Sequence, residues 1–158
     1  MPLLAALHER FESERPFAGL GIAACLHITA ETAMLVRLLR AGGAAVSLAA
    51  SNPLSTQDDI AAALAHRYQI AVFARAGIDR RGYYRHIELA LSEPPEGPNL
   101  VIDDGGDLVN TLHTRATALL PNVLGGCEST TTGVIRLRRM AAEGALAFPV
   151  IAANDSAT

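Results

Sequence analysis

The fold is decided by residues 20–41, LGIAACLHITAETAMLVRLLRA, in which an apolar run is followed closely by a helical pattern. Residues 20–26 are short and almost entirely apolar, as in a strand that is buried in a parallel sheet. Over residues 31–41 the apolar side chains recur with a spacing near 3.6, which predicts an amphipathic helix. Thr29 is the candidate N-cap of this helix. The stretch therefore predicts a strand–loop–helix unit.

The same alternation continues along the rest of the chain. Strands that alternate with helices over short links are typical of an open parallel sheet with helices on both faces. The sequence therefore predicts an α/β fold, a doubly wound, Rossmann-like parallel sheet of about six strands, with an opening helix near residues 3–13 packed on its edge. The further predicted strands are 45–49, 70–74, 100–102, 123–125 and 148–152, and the further helices are 57–67, 81–92, 108–120 and 132–143.

Composition and charge limit the class of protein. The chain has 158 residues and a net charge of −3, which is enough length for one core and gives no basic footprint for nucleic acid. No apolar run approaches the roughly 20 residues of a membrane-spanning helix, and the N-terminus lacks the features of a secretory signal. The densest basic cluster, Arg136, Arg138 and Arg139, predicts a solvated helix face. These features predict a cytoplasmic protein that binds neither nucleic acid nor membrane.

Short cofactor and metal patterns do not account for this sequence. Residues 19–24, GLGIAA, match the dinucleotide pattern G-x-G-x-x-A. That pattern must follow a strand and open a helix, whereas these glycines begin a strand, so the match is accidental. Cys25 and Cys127 lack CxxC spacing and are predicted to be reduced structural thiols. No spacing of ligand residues predicts a metal site.

Polar residues concentrate in four loops that follow predicted strands. In an open parallel sheet, ligands bind outside the carboxyl ends of the strands, where these loops converge. The concentration therefore predicts a ligand site at that end of the sheet. The loops are residues 27–32 (HITAET), 52–58 (NPLSTQD), 103–107 (DDGGD) and 128–133 (ESTTTG).

The loop at residues 103–107 places three carboxylates and two glycines where a strand ends. Asp107 is predicted to begin the next helix, where a carboxylate suits the N-terminus. Asp103 and Asp104 are adjacent acids that repel each other and gain nothing as caps. Glycine at positions 105 and 106 allows a ligand to approach the backbone closely. Asp104 is therefore the candidate carboxylate for binding a ligand hydroxyl or taking a proton.

His27 follows the first predicted strand. A lone histidine beside apolar residues is more often structural, but Thr29, Glu31 and Thr32 follow it and favour an acid–base or ligand role. Thr29 alone is also explained as a helix cap, and Glu31 as a favourable charge in the first turn. The other histidines, including His113, are predicted to be structural.

Two further loops carry runs of hydroxyl side chains. Thr130, Thr131 and Thr132 open a predicted helix, where hydroxyls and free N–H groups suit polar or anionic groups. One threonine cap is common, whereas three in succession favour a loop that faces a ligand. The segment Ser55–Asp58, with a hydroxyl three residues before a carboxylate, predicts a variant of the capping box.

Five stretches together resemble the N-terminal part of the S-adenosylhomocysteine hydrolase (adenosylhomocysteinase) family. Several long motifs in the family's order are more specific than one short pattern. The resemblance implies the substrate-binding domain of that family over residues 1–158. The stretches are CLHITAETAML (25–35), SNPLSTQDD (51–59), VIDDGGDLVNTLHT (101–114), STTTGVIRL (129–137) and PVIAANDS (149–156).

The resemblance also implies a reaction and a cofactor. Enzymes of the family hold NAD, oxidise the ribose 3′-hydroxyl of S-adenosylhomocysteine, eliminate homocysteine, add water and reduce the ketone again. His27 and Asp104 are implied in proton transfer. The implied contacts with adenosine come from Thr29, Glu31, Thr32, Gln57 and Asp104, and the implied contacts with NAD come from Thr130, Thr131 and Thr132.

Two departures from the family pattern modify these expectations. The family loop reads Glu-Glu-Thr-Thr-Thr-Gly, whereas Glu128 is followed here by Ser129. The ribose contact of the second glutamate is expected to weaken by about ten- to a hundredfold, with Glu128 left as a partial substitute. The segment with a substrate-contacting lysine and the domain that holds most of the NAD are expected to be absent, so that the chain alone lacks turnover.

Three functional hypotheses follow from the resemblance. The first is the substrate-binding portion of an NAD-dependent hydrolase whose full-length form is a homo-oligomer. The second is a non-catalytic paralogue that binds a nucleoside or regulates a full-length hydrolase, which Ser129 modestly favours. The third is one half of a split enzyme whose NAD domain is another polypeptide.

Overall fold

The computed structural model describes residues 2–156, so that Met1, Ala157 and Thr158 of the predicted domain lie outside the described residues. Within this range six strands alternate with six α-helices, and two short 3₁₀ turns cover Thr117–Asn122 and Ala153–Asp155. The strands are β1 (Gly21–Leu26), β2 (Ala45–Ala50), β3 (Ala71–Phe73), β4 (Leu100–Asp103), β5 (Gly125–Glu128) and β6 (Val150–Ala152). The helices are α1 (Pro2–Glu14), α2 (Ala30–Ala41), α3 (Asp58–Tyr68), α4 (Arg80–Ser92), α5 (Asp107–Thr114) and α6 (Thr131–Ala142).

All six strands pair in parallel, in the order β3-β2-β1-β4-β5-β6. Helices α2 and α3 pack on one face of the sheet, and α4, α5 and α6 pack on the other. The direction of strand addition reverses between β1 and β4, which is the switch point of a doubly wound sheet. The predicted α/β fold is confirmed.

Each face of the sheet has its own apolar core. On one face Ile22 and Leu48 pack with Leu64 of α3, and on the other Val101 packs with Ile87 of α4. These five side chains are at most 1% exposed, as expected for parallel strands that are covered on both faces. Burial of this apolar surface is the main favourable contribution to folding.

The cover on the face of α2 and α3 ends at β1. Beyond it, Leu100, Ile102 and Cys127 line an open apolar groove of about 630 Å³. Leu124 and Ile151 at the same groove are 64% and 72% exposed. Within residues 2–156, helices therefore cover both faces of the sheet along β1, β2 and β3, but only one face along β4, β5 and β6.

The fifth strand lies further along the chain than predicted. Residues 123–125 were the expected strand, but β5 runs from Gly125 to Glu128 and pairs with β4. Val123 instead closes the preceding 3₁₀ turn, with its N–H donating to the Leu120 carbonyl at 3.1 Å. The sequence of β5, Gly-Gly-Cys-Glu, has no apolar pattern. The position of this strand is therefore determined by its pairing with β4 and not by its composition.

The predicted helix at residues 108–120 is two elements. Helix α5 ends at Thr114, and a 3₁₀ turn that contains Pro121 follows. The Thr111 carbonyl accepts from both Arg115 and Ala116, which closes the helix before the turn begins. The apolar spacing therefore continues past the end of α5 into the 3₁₀ turn, which is why the pattern predicted one longer helix.

The predicted capping box before α3 is also wrong. The N-cap is Gln57, and no side chain caps the helix. The Ser55 and Thr56 hydroxyls donate instead to the Asn52 carbonyl, at 3.2 and 3.0 Å, while Asp58 accepts from the Ala76 N–H. These hydroxyls stabilise the turn that precedes the helix rather than the first turn of the helix.

The opening helix packs against α2 rather than on the edge of the sheet. Phe11 of α1 contacts Phe17 edge to face, with ring centroids 5.5 Å apart, and Gly42 at the end of α2 lies directly beside both rings. Aromatic pairs of this kind favour such edge-to-face contacts. Among the described residues, no helix combines the length and apolar character needed to cross a membrane.

Asp79 caps α4, since its Oδ1 accepts from the Gly82 N–H at 2.8 Å. Asp79→Ala is expected to lower the free energy of unfolding by about 1 kcal/mol, because a first-turn N–H loses its acceptor. Asp79→Asn retains the acceptor and is expected to lower the free energy of unfolding by only a few tenths of a kcal/mol. Urea unfolding followed by circular dichroism compares the variants, and equal midpoints for wild type and Asp79→Ala would contradict the role of the cap.

Candidate functional site

The carboxyl ends of β1 and β4 lie side by side at the switch point of the sheet. The loop after β1 runs to α2 on one face and the loop after β4 runs to α5 on the other, so a crevice opens between them. His27 and Asp104 are the first residues of these two loops. His27 Nε2 lies 3.8 Å from Asp104 Oδ1, and the two side chains are 43% and 21% exposed. The crevice therefore contains both candidate proton-transfer residues.

The separation of His27 and Asp104 suits a bridging ligand. At 3.8 Å the nitrogen and the carboxylate oxygen are too far apart for a direct hydrogen bond. One hydroxyl oxygen can lie roughly 2.8 Å from both atoms, which is within hydrogen-bond distance of each. The pair can therefore hold a hydroxyl group and exchange its proton.

The environment of Asp104 shifts the pKa of its carboxyl upward. Burial raises the pKa of the Asp104 carboxyl above its ordinary value. The charge of His27 and the hydroxyl of Ser129 oppose this change, whereas the buried Glu128 carboxylate adds to it. A carboxyl in a crevice whose pKa is raised in this way is suited to acid–base work.

The loop after Asp104 has a fixed conformation that depends on its glycines. Gly105 and Gly106 have φ values of +108° and +78°, which side chains with a Cβ rarely adopt. The Gly105 N–H donates to Glu128 Oε1 at 2.9 Å, and the Gly105 carbonyl accepts from Arg136 at 2.6 Å. Asp104 is therefore presented to the crevice from a loop that is held by two other elements.

Asp103 is a structural residue. It is fully buried, and its carboxylate accepts from the N–H groups of Asp104 at 3.0 Å and Val109 at 2.9 Å. The expectation that Asp103 gains nothing as a cap is wrong, because Val109 lies in the first turn of α5. Burial raises the pKa of the Asp103 carboxyl to about 7, against the opposing effect of these two hydrogen bonds.

Glu128 is also part of the scaffold. Its side chain is fully buried, and Oε1 accepts from Gly105 as well as from the N–H and hydroxyl of Thr130, both at 2.8 Å. The carboxyl lies directly against Gly133 in the first turn of α6, where a Cβ would overlap it. The Glu128 carboxyl is therefore enclosed by the protein and holds the loop after β4 against the start of α6.

Asp107 lies in the first turn of α5, as predicted, but Gly106 is the N-cap and no side chain caps the helix. The Asp107 carboxylate accepts instead from the Tyr83 hydroxyl and from Arg136, both at 3.0 Å. Of the three aspartates in this loop, one supports the backbone, one joins α4 to α6, and only Asp104 faces the crevice beside His27.

The first turn of α2 places three polar side chains after His27. Thr29 is the N-cap by position, but its hydroxyl donates to Glu31 Oε2 at 2.7 Å and accepts from no helix N–H. This hydrogen bond lowers the pKa of the exposed Glu31 carboxyl. Glu31 is therefore held as a carboxylate that accepts hydrogen bonds, and Thr32 lies half-buried in the same turn.

The loop between β2 and α3 supplies one predicted residue and one that sequence reasoning missed. Gln57 is exposed, and its N–H donates to the Ile28 carbonyl at 3.2 Å. Ser55 Oγ lies 2.5 Å from His27 Nδ1. The signal for Ser55 was topological, because β2 neighbours β1 and its following loop must lie beside His27.

The threonines at the start of α6 differ in availability. Thr130 accepts from the Gly133 N–H at 3.0 Å and donates to Glu128, so its hydroxyl hydrogen and one of its two lone pairs are used within the protein. Thr131 and Thr132 are exposed, and Thr131 accepts from Asn154 at 3.1 Å. Ser129 is exposed, and its hydroxyl donates to the Asp103 carbonyl at 3.2 Å.

Cys25, Cys127 and His113 lie in surroundings that are consistent with structural roles. Cys25 is buried and Cys127 is half-buried, both are free thiols, and burial raises the pKa of each. His113 joins α5 to the loop before β6, with Nδ1 2.7 Å from the Val109 carbonyl and Nε2 accepting from the Ala147 N–H at 3.0 Å.

Comparison with known proteins gives a consistent result. A family model described as S-adenosyl-L-homocysteine hydrolase matches residues 1–119 and 113–158. The chain is 55% identical over all 158 residues to an adenosylhomocysteinase of Aquifex aeolicus. It is 51% identical to an S-inosyl-L-homocysteine hydrolase of Methanosarcina acetivorans and 49% identical to an adenosylhomocysteinase of Thermosynechococcus vestitus, again over its full length. The chain spans 37%, 38% and 36% of the length of these three relatives.

Proposed function

The chain belongs to the S-adenosyl-L-homocysteine hydrolase family, and from that premise we propose that it forms the part of such a hydrolase that binds the nucleoside of the substrate. The observation that carries the proposal is the His27–Asp104 pair, 3.8 Å apart at the switch point of the sheet. We propose reversible hydrolysis of S-adenosyl-L-homocysteine to adenosine and L-homocysteine as the activity of the full-length protein, in the cytoplasm and as a homo-oligomer.

Asp104 and His27 hold a ribose hydroxyl in this proposal. The hydroxyl bridges the carboxyl oxygen and the imidazole nitrogen, which are spaced to contact one oxygen atom together. Burial raises the pKa of the Asp104 carboxyl above its ordinary value, which suits a group that accepts a hydrogen bond from the ribose and exchanges a proton with it. The fixed loop of Gly105 and Gly106 keeps the carboxyl in place, so little ordering is needed when the nucleoside binds.

Glu31 provides the basis for recognising adenine. The carboxylate only accepts hydrogen bonds, and its lowered pKa keeps it ionised. The exocyclic amine of adenine donates hydrogen bonds, whereas hypoxanthine, the base of inosine, has a carbonyl in the same place. The proposed adenosine site therefore places Thr29, Glu31 and Thr32 near the base, with Gln57 close by.

Ser129 makes the ribose contact weaker than in a site with glutamate. Its hydroxyl is neutral and donates to the Asp103 carbonyl, so it offers a ligand little beyond a lone pair. A hydrogen bond to a charged group contributes about 1.5–3 kcal/mol, which an uncharged hydroxyl does not match. Asp104 is accordingly the main anchor of the ribose in this chain.

The residues at the start of α6 fit a limited contact with NAD. Thr131 and Thr132 expose hydroxyls beside the free N–H groups of the helix N-terminus, which suits a polar group of the cofactor. Thr130 does not fit this role, because Glu128 and the helix occupy its hydroxyl. Residues of the longer protein would hold most of the dinucleotide. When bound, NAD would supply a hydride acceptor for the ribose 3′ carbon.

Nucleoside binding by the isolated chain tests the proposal. In titrations followed by amide NMR shifts, adenosine is expected to perturb residues 27–32 and 104–106 and to bind about tenfold more tightly than inosine. Glu31→Gln is expected to remove most of this preference, because an amide donates as well as accepts. Glu143→Gln, an exposed change at the C-cap of α6, is the matched control and should retain it. Shifts confined to other regions, or none at millimolar adenosine, would contradict the proposal.

A further inference from the structure

The Ser55 hydroxyl contacts the side of His27 that faces away from Asp104. Ser55 Oγ lies 2.5 Å from Nδ1, whereas Nε2 faces Asp104 at 3.8 Å. The two ring nitrogens therefore have different partners from different loops. The partner of one nitrogen sets which nitrogen of a neutral histidine carries the proton.

The position of Ser55 is fixed by a compact turn. Asn52 Oδ1 accepts from the Leu54 N–H at 2.9 Å, and the Asn52 carbonyl accepts from the Ser55 N–H at 3.2 Å. The Thr56 hydroxyl, in a side chain that is only 8% exposed, donates to the same carbonyl. The backbone hydrogen bond from Gln57 to Ile28 joins this turn to the loop of His27. Ser55 is therefore held against the imidazole by the loop itself.

The hydroxyl proton of Ser55 already has an acceptor. The Asn52 carbonyl, 3.2 Å from Ser55 Oγ, accepts this hydrogen in an arrangement shared with the Ser55 N–H and the Thr56 hydroxyl, which leaves the lone pairs of Ser55 Oγ to face the imidazole. A hydroxyl has one donor hydrogen and two acceptor lone pairs. The short contact is therefore satisfied when His27 Nδ1 carries the hydrogen and donates it to Ser55.

We propose that Ser55 is a positioning residue that keeps a proton on Nδ1 of His27, so that Nε2 is the nitrogen that exchanges a proton in the crevice. One part of this assignment rests on the proposed function, namely that the group exchanging a proton with Nε2 is a hydroxyl of the nucleoside. The tautomer itself is a property of the free protein.

The proton transfer is balanced within the crevice. As the ligand hydroxyl loses its proton, its O–H bond breaks, an N–H bond forms at Nε2, and the electron pair stays on the ligand oxygen. The imidazolium that results keeps its Nδ1–H bond to Ser55 and lies beside Asp104, whose carboxylate stabilises the positive charge. In the reverse direction Nε2 returns the proton. Ser55 thus holds the same hydrogen bond in both states of the ring.

Histidine side-chain NMR of the full 158-residue chain, without ligand, tests the tautomer. At a pH of about 8.5, where imidazole is neutral, two-bond ¹H–¹⁵N correlations distinguish a protonated from an unprotonated ring nitrogen. His27 is expected to show a protonated Nδ1 and an unprotonated Nε2. His113 serves as an internal reference, because its Nδ1 faces the Val109 carbonyl and its Nε2 accepts from Ala147. His27→Gln identifies the signals by their loss.

Variants of Ser55 then test the cause. Ser55→Ala is expected to change the ratio of the two tautomers of His27 by about fivefold toward Nε2–H, with His113 unchanged. Ser55→Thr retains the hydroxyl and should preserve the wild-type pattern. If Ser55→Ala does not fold, Ser55→Cys tests the same point with a side chain of similar shape. A thiol is a weak acceptor, so this variant should also lose the hydrogen bond from His27 Nδ1. Ser92→Ala removes an exposed, distant hydroxyl as the control.

Two outcomes would overturn the assignment. One is a wild-type His27 that carries its proton mainly on Nε2. The other is an unchanged tautomer ratio in folded Ser55→Ala or Ser55→Cys. Neither depends on nucleoside binding, so failure of the adenosine titration alone would contradict the proposed function and leave the tautomer assignment intact.

Discussion

Gly133→Ala is expected to lower the free energy of unfolding by about 3 kcal/mol, a large effect for the addition of one methyl group. The new Cβ would overlap the carboxyl of Glu128, which is fully buried and bonded through Oε1 to Gly105 and Thr130. Overpacking of this kind costs about 1–3 kcal/mol, and moving a buried charged group away from its donors adds to that cost. The gain of about 1 kcal/mol in helix propensity offsets only part of it.

A matched substitution and a double-mutant cycle test this explanation. Gly82 in α4 also lacks space for a Cβ, which would overlap Cγ1 and Cδ1 of Ile78 rather than a hydrogen-bonded carboxyl, so Gly82→Ala is expected to cost about 1–2 kcal/mol, less than Gly133→Ala. Glu128→Asp shortens the obstructing side chain, so Gly133→Ala should cost markedly less in that background. Urea unfolding provides all four free energies of the cycle. Additive effects of the two changes would contradict the overlap.

The stability of the protein is expected to fall as pH rises from about 4 to about 7, because of Asp103. Burial raises the pKa of this carboxyl from its usual 3.8 to about 7. In this interval the unfolded chain releases the proton while the folded protein retains it, so the unfolded state binds fewer protons and is increasingly favoured. The stabilisation is complete below about pH 4 and lost by about pH 7. Three pKa units correspond to roughly 4 kcal/mol.

Asp103→Asn isolates this contribution. Asparagine does not titrate, so the variant should show a flatter dependence of unfolding free energy on pH between 4 and 7. At pH 4 it should be less stable than wild type, because one of the two buried N–H groups, from Asp104 and Val109, then faces an amide nitrogen. Asp79→Asn, an exposed change, is the control and should run parallel to wild type. A parallel profile for Asp103→Asn would show that Asp103 is not the titrating group.

The sequence predicted the fold because each strand and helix carries its own pattern. Residues 20–26 and 31–41 are recognisable without any tertiary information, and alternation of such units leaves few arrangements besides an open parallel sheet. The elements whose observed bounds differ from the predicted ones are those in which the apolar sequence pattern and the observed strand pairing do not coincide. Strand β5 has two glycines and a buried glutamate, so only its pairing with β4 identifies it.

The candidate site was predictable in its location and only partly in its roles. His27 and Asp104 could be placed together because both follow strands that meet at the switch point. The buried role of Asp103 could not be predicted, since one strand position separates the core-facing carboxylate from the crevice-facing one. Ser55 was missed for a different reason: hydroxyls before a helix usually indicate a cap, whereas this one bonds to a residue 28 positions away in the chain.

The pairing of β1 with β4 has a consequence for the kinds of sequence change that the crevice tolerates. Cys25 lies opposite Asp103 in the sheet, so His27 and Asp104 extend from neighbouring strands at fixed distances from a shared register. Substitutions in the surrounding helices leave that register unchanged. Deletion or insertion of one residue within either strand would turn the following side chain to the opposite face of the sheet. The crevice is therefore tolerant of changes in residue type around it and intolerant of changes in chain length within the two strands that form it.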